Sequence, residues 1–191
     1  MSLESKILFI QSSVDTTLRL ILDTNWNSKN KNYRQEIRTF LADKFSSHFS
    51  RQQLAELNDL NKRPEASDVF ISVSHCGFLG GFALSQFKVG FDAEESSRIS
   101  EDILKRVCAE SELQECPWTE FLWVAKEAGF KALSQADTAL VIGDLQCYDW
   151  KSYFENQVFS FRLKSKKTLD FGLNKGFIFS EEPCLYGLFF K

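Results

Sequence analysis

The chain has 191 residues, 43% hydrophobic and 26% charged, a balance that supports one good-sized core or two small packed lobes. A formal net charge of -3, with no run of lysines and arginines, argues against general nucleic-acid binding. The first apolar stretch, residues 7–10, is too short for a membrane span or a signal peptide. Five cysteines without CxxC spacing (Cys76, Cys108, Cys116, Cys147 and Cys184) read as reduced thiols packed as small apolar groups, which points to the cytoplasm.

In chain order, residues 6–11 (KILFIQ) predict a short apolar strand. Residues 14–23 read as a helix or a second extended piece, and the asparagine-rich segment 25–32 as a loop. Over residues 33–49, Tyr33, Ile37, Phe40, Leu41 and Phe45 recur at helical spacing, leaving Arg34 and Arg38 four apart on another face. A second short helix is expected over 51–60. Lys62, Arg63 and Pro64 then precede a strand at 69–74, and the proline holds Arg63 extended, its guanidinium free to reach a ligand. A surface turn with two charges is the plain alternative. The alternation of residues 70–75 (FISVSH) ends on His75, which is better placed than His48 to donate a hydrogen bond to a phosphate, although taken alone such a histidine is more often structural. Cys76 cannot act as its nucleophile, because adjacent side chains on a strand point to opposite faces.

Residues 80–85 and 88–93 predict a hairpin around Gln86 and Phe87 that delivers Asp92 and Glu94. Two apart on a strand, these carboxylates share a face, and Glu95 points the other way. Ser97 or Ser100 can cap a helix over 101–108, with Glu101 and Asp102 favourable in its first turn. Pro117 is expected in the first turn of a helix along which Phe121, Val124, Ala128 and Leu133 face inward. Lys126, Glu127 and Lys131 need polar surroundings, and Glu127 and Lys131 are stacked neighbours four apart. Strands are expected at 139–145, 157–163, 171–173 and 185–190, with a lysine-rich turn at Lys164, Lys166 and Lys167.

If the Glu127 helix packs beside the Asp92 strand, three carboxylates and a lysine converge. Like charges raise each other's pKa unless something neutralises them. A divalent cation with a phosphate substrate is the simplest compensation, and hard oxygen ligands suit magnesium, with manganese open. The plain alternative is a solvated surface, on which a Glu127–Lys131 pair contributes only about 0.2–0.5 kcal/mol. Neither GxxxxGK[ST] nor GxGxxG occurs, so nucleotide kinases and dinucleotide enzymes lack support.

VGFDAE at 89–94, Arg98, and WVAKEAGFKA at 123–132 together resemble the paired signatures of the 4'-phosphopantetheinyl transferases, in their surfactin-type, single-chain branch. Gly90, Asp92, Glu94, Arg98, Trp123, Lys126, Glu127, Ala128 and Lys131 match. The resemblance implies an α+β fold of two similar lobes in a pseudo-twofold arrangement, here residues 1–95 and 96–191, each a small antiparallel sheet packed with helices. It implies Mg-dependent transfer of phosphopantetheine from coenzyme A to a serine of an apo acyl or peptidyl carrier protein, by a cytoplasmic monomer. Asp92, Glu94 and Glu127 would hold the metal. Glu127, directly or through water, would take the serine proton, and Lys131 would contact the phosphates with Lys126 in support. Lys29, Lys31, Arg34, Arg38, Lys62, Arg63, Ser74 and His75 would hold coenzyme A. The turn at 62–64 departs from the family's glycine–lysine–proline pattern. Lys105 and Arg106 are the candidate docking surface for an acidic carrier. Two rivals stand beside this reading: a metal-dependent hydrolase of a coenzyme A-like pyrophosphate, and a non-catalytic coenzyme A or carrier-binding homologue.

Overall fold

The computed structural model describes residues 1–62, 64–134, 139–165, 167 and 169–191. It is an α+β fold in which the described residues form six helices and two antiparallel sheets, of three and five strands.

The chain begins with α1 (Leu3–Ser13), a helix where residues 6–11 suggested a strand. The apolar run was too short to fix its own period, and the cap decides it. The Ser2 side chain accepts the Ser5 N–H, satisfying one of the first-turn donors. Lys6 and Ile10, four apart, then share the buried face, and the Lys6 ammonium reaches Ser180 O at 2.7 Å and Glu181 Oε1 at 2.6 Å. β1 (Arg19–Asp23) realises the extended option for residues 14–23. α2 (Tyr33–Lys44) ends short of residue 49, giving way to a single 3-10 turn over Ser46–His48. α3 (Arg51–Glu56) opens on a capping box, Gln53 N–H to Ser50 Oγ and Ser50 N–H to Gln53 Oε1.

β2 (Phe70–His75), β3 (Gly80–Ser85) and β1 make the smaller sheet in the order β1-β3-β2. β4 (Val89–Glu95) does not form a hairpin with β3, contrary to expectation. The N–H of Gln86 goes to Asp15 Oδ2 and that of Phe87 to Ser85 Oγ, so side chains capture the turn and the chain leaves the sheet.

α4 (Glu101–Val107) is capped by Ser100, and α5 (Glu110–Glu115) leads to α6 (Glu120–Leu133). Pro117 thus lies ahead of α6 rather than in its first turn. The strands β5 (Leu145–Tyr153), β6 (Val158–Ser165), β7 (Lys175–Glu181) and β8 (Cys184–Phe190) complete the larger sheet, ordered β4-β8-β7-β6-β5. Residues 171–173, expected as a strand, lie in a turn with Gly172 at φ +53°, and β7 starts two residues later. Of residues 139–145, expected as a strand, only Leu145 lies in one, opening β5, and Ile142–Asp144 form a 3-10 turn. Of the lysine-rich turn, Lys166 lies outside the described residues and Lys164 lies within β6.

β8 is buried along its whole length because the larger sheet is covered on both faces. Its alternate residues Leu185 and Phe189 pack with α6, while Tyr186, Leu188 and Phe190 join the core that also holds Ile10 and Leu18. A third core lies between α2 and the smaller sheet, around Ile37, Leu41 and Phe82. β4, the last element of the expected first lobe, therefore belongs to the larger sheet. It meets β2 through side chains: Phe91 N–H donates to Ser72 Oγ at 2.9 Å and Ala93 N–H to Ser74 Oγ at 3.2 Å. The functional residues gather on this seam.

Candidate active site

α6 lies directly on β4 because residue 90 is glycine. A Cβ built there would stand 1.8 Å from Ala128 O, so any side chain would push the helix away. Held this close, the face of α6 that carries Glu127 and Lys131 meets the face of β4 that carries Asp92 and Glu94. All four line one cleft of about 480 Å³, together with Ser74 and His75 from β2, Arg34 and Arg38 from α2, and Lys62.

The centre of the cleft is a tight knot. The Lys131 ammonium donates to Asp92 Oδ1 at 2.8 Å, to Ser74 Oγ at 3.0 Å and to Phe91 O at 3.0 Å. The Ser74 hydroxyl in turn donates to Asp92 Oδ1 at 2.8 Å. With Lys131 and the Ala93 N–H also bonded to it, this hydroxyl has its donor and both acceptor positions filled. Ser74 thus joins the strands and orients Asp92, and it has no capacity left for coenzyme A.

Glu94 Oε1 accepts the Glu95 N–H at 2.9 Å, with Arg98 at 3.4 Å. Glu127 makes no hydrogen bond to another described residue; burial, with the charges of Asp92 and Glu94, pushes its pKa above the ordinary 4.5 against the opposing pull of Lys131. Burial likewise raises Glu94. Burial first, then Lys131 and Arg34, lower His75 below its ordinary 6.5, keeping the imidazole neutral near pH 7.

The far wall is aromatic and basic. The Tyr33 ring stacks on His75 with centroids 4.2 Å apart and 22° between planes, and Arg34 Nε donates to the Tyr33 hydroxyl at 3.0 Å. Tyr33 and Ile37 belong to the apolar helix face that packs on the third core, and they also line the cleft. Their i, i+4 spacing was visible, but not which partner that face meets. Trp123, one of the signature matches, also lines the cleft.

Some expected ligands are engaged by the chain itself or placed elsewhere. Arg38 is buried and spends its guanidinium on Leu57 O, Asp59 O and Lys62 O, which fixes the loop that carries Lys62. Lys126 is fully buried on the opposite side of α6, bonded to Glu112 Oε2 at 2.9 Å and Val107 O at 2.6 Å, and cannot support Lys131. Lys29 and Lys31 are exposed in the loop before α2 and do not line the cleft. Arg63 lies outside the described residues. Cys76 points away from His75 into the core, its Sγ 3.5 Å from Cys184 Sγ, in keeping with its exclusion as a nucleophile.

Asp92, Glu94 and Glu127 line one cleft and are hard oxygen donors of the type a divalent cation takes, and burial raises the last two. Among the described residues the acidic groups are not drawn together into a ready cation cage, and Asp92 is held by Lys131.

Compared with known proteins, the chain matches no family model and no curated protein. Among the described residues no helix is long and apolar enough to cross a membrane.

Proposed function

We propose that this chain transfers the 4'-phosphopantetheine group of coenzyme A to a serine of an apo acyl or peptidyl carrier protein. The observation that carries this reading is the convergence of Asp92, Glu94, Glu127 and Lys131, drawn from two separate signatures, with Arg34, Lys62 and His75 in a single cleft. The family's pseudo-twofold pair of lobes belongs to the same reading, with the smaller sheet and α2 facing the larger sheet and α6.

The carrier serine oxygen attacks the phosphorus bearing pantetheine, and the bond from that phosphorus to the adenosine 3',5'-bisphosphate oxygen breaks. Glu127 takes the serine proton, directly or through water. Glu127 is free for this role, since it makes no hydrogen bond to another described residue and lines the cleft. Lys131 lies one turn away and meets the negative charge developing on the phosphates. Arg34 and Lys62 stand at the rim to hold the charged nucleotide end. The Tyr33–His75 stack offers a flat surface and a neutral imidazole hydrogen-bonding group beside it. Asp92, Glu94 and Glu127 would hold a magnesium ion, which when bound supplies Lewis-acid neutralisation of the pyrophosphate. Lys105 and Arg106 are exposed on α4, Lys105 paired with Glu101 at 3.1 Å, and are the proposed contact for an acidic carrier.

Chromatography of the nucleotide products tests this against hydrolysis. Adenosine 3',5'-bisphosphate should form only when a carrier with its intact serine is present. Cleavage of coenzyme A without any carrier would favour the hydrolase.

A further inference from the structure

Asp92 Oδ1 is already bonded to a cation belonging to the chain itself. Lys131 Nζ sits 2.8 Å from this oxygen and is fixed by two further acceptors, Ser74 Oγ and Phe91 O. A divalent cation and an ammonium cannot share that oxygen closely, because two positive charges a few ångströms apart repel strongly in a part-buried cleft. Lys131 also has somewhere to go. It lines both the site cleft and a second groove of about 1080 Å³, and Lys62 likewise borders the two. Its four-carbon stem can swing between them.

We propose that Lys131 is the resident counter-ion of Asp92 and gates the carboxylate site: a phosphate group entering the cleft draws the ammonium off Asp92 and so opens that carboxylate to a divalent cation. The inference rests on the cation site proposed above. Because coupling between sites is reciprocal, phosphate and cation strengthen each other's binding, and the cleft disfavours a bare cation. The carboxylates then acquire their metal together with the substrate that needs it.

The test is calorimetric titration with Mn²⁺ alone, in the absence of nucleotide. Lys131→Met should bind Mn²⁺ about tenfold or more tightly than the unaltered chain, and adding Asp92→Asn should abolish the gain. Equal or weaker binding by Lys131→Met overturns the proposal. A measurement on the unaltered chain covers the case in which that variant does not fold. With ¹³C-labelled lysine, the Lys131 side-chain signal should move when inorganic phosphate is added without any cation, and a stationary signal overturns the gate. The two readings fail separately. A chain that modifies carriers but whose Lys131→Met variant gains no Mn²⁺ affinity loses the gate alone. A gain in Mn²⁺ affinity without carrier modification leaves the gate and removes the transferase.

Discussion

Lys126 holds its ammonium 2.9 Å from Glu112 Oε2, and both side chains are closed off from solvent. The other Glu112 oxygen accepts the Cys147 N–H at 2.8 Å, so this one carboxylate ties α5, α6 and β5 together. Lys126 and Lys131, five residues apart on one helix, thus serve different purposes. The first anchors α6 from below, and the second holds Asp92 in the cleft above.

Breaking the anchor on one side strands a buried charge. Lys126→Ala or Glu112→Ala should each destabilise the fold by about 3–5 kcal/mol in denaturant titrations. The paired replacement Lys126→Met with Glu112→Leu should recover part of that loss, the buried Cys147 N–H being left without its acceptor, and keep coenzyme A affinity unchanged. A drop in affinity in the folded double variant would return Lys126 to the ligand set.

Asp92 and Lys131 predict the opposite pattern. Asp92→Asn should leave the thermal midpoint near that of the unaltered chain and lower turnover by about 10²–10³, the range found when one transition-state electrostatic partner is removed. Steady-state rates beside circular dichroism melts would check both halves.

The raised pKa values of Glu127 and Glu94 set a sign for stability against pH. A folded-state pKa above the unfolded one means that the folded chain holds the proton longer. The contribution of these groups is present below the unfolded value and is lost as pH rises through the folded one. Glu127→Gln should therefore raise the thermal midpoint at pH 7, and the gain should vanish near about pH 4.

The Tyr33–His75 stack should matter to binding rather than to chemistry. Tyr33→Leu keeps the apolar bulk but loses the stack and the Arg34 bond, and should weaken coenzyme A binding by up to about tenfold, since such ring pairs contribute about 0.5–1.5 kcal/mol. Turnover at saturating coenzyme A should stay close to that of the unaltered chain. An unchanged Kd would remove the aromatic wall from the site.

The centre of the site was legible because it depends on local periods. Asp92 and Glu94 share a strand face at a spacing of two, Glu127 and Lys131 a helix face at a spacing of four, and Gly90 lets the two backbones meet. What escaped was non-local. β4 reads as a strand in any register, but nothing local says that its partner is β8, some ninety residues on, rather than β3 beside it. Lys126 reads as a cleft residue until Glu112 is known to lie beneath it. The arginines four apart on α2 look alike, yet Arg34 reaches the Tyr33 stack whereas Arg38 is used up on the carbonyls of the 57–62 loop. α1 reads as a strand because its apolar run is only four residues long, whereas its helix is fixed by Ser2 and by distant Glu181.

Intact-mass spectrometry of an apo carrier protein incubated with this chain, coenzyme A and magnesium tests the central claim most directly. The account predicts a gain of one phosphopantetheine group on the carrier serine, lost on adding chelator and lost in Asp92→Asn. A carrier set that stays unmodified while coenzyme A is bound or cleaved would contradict it.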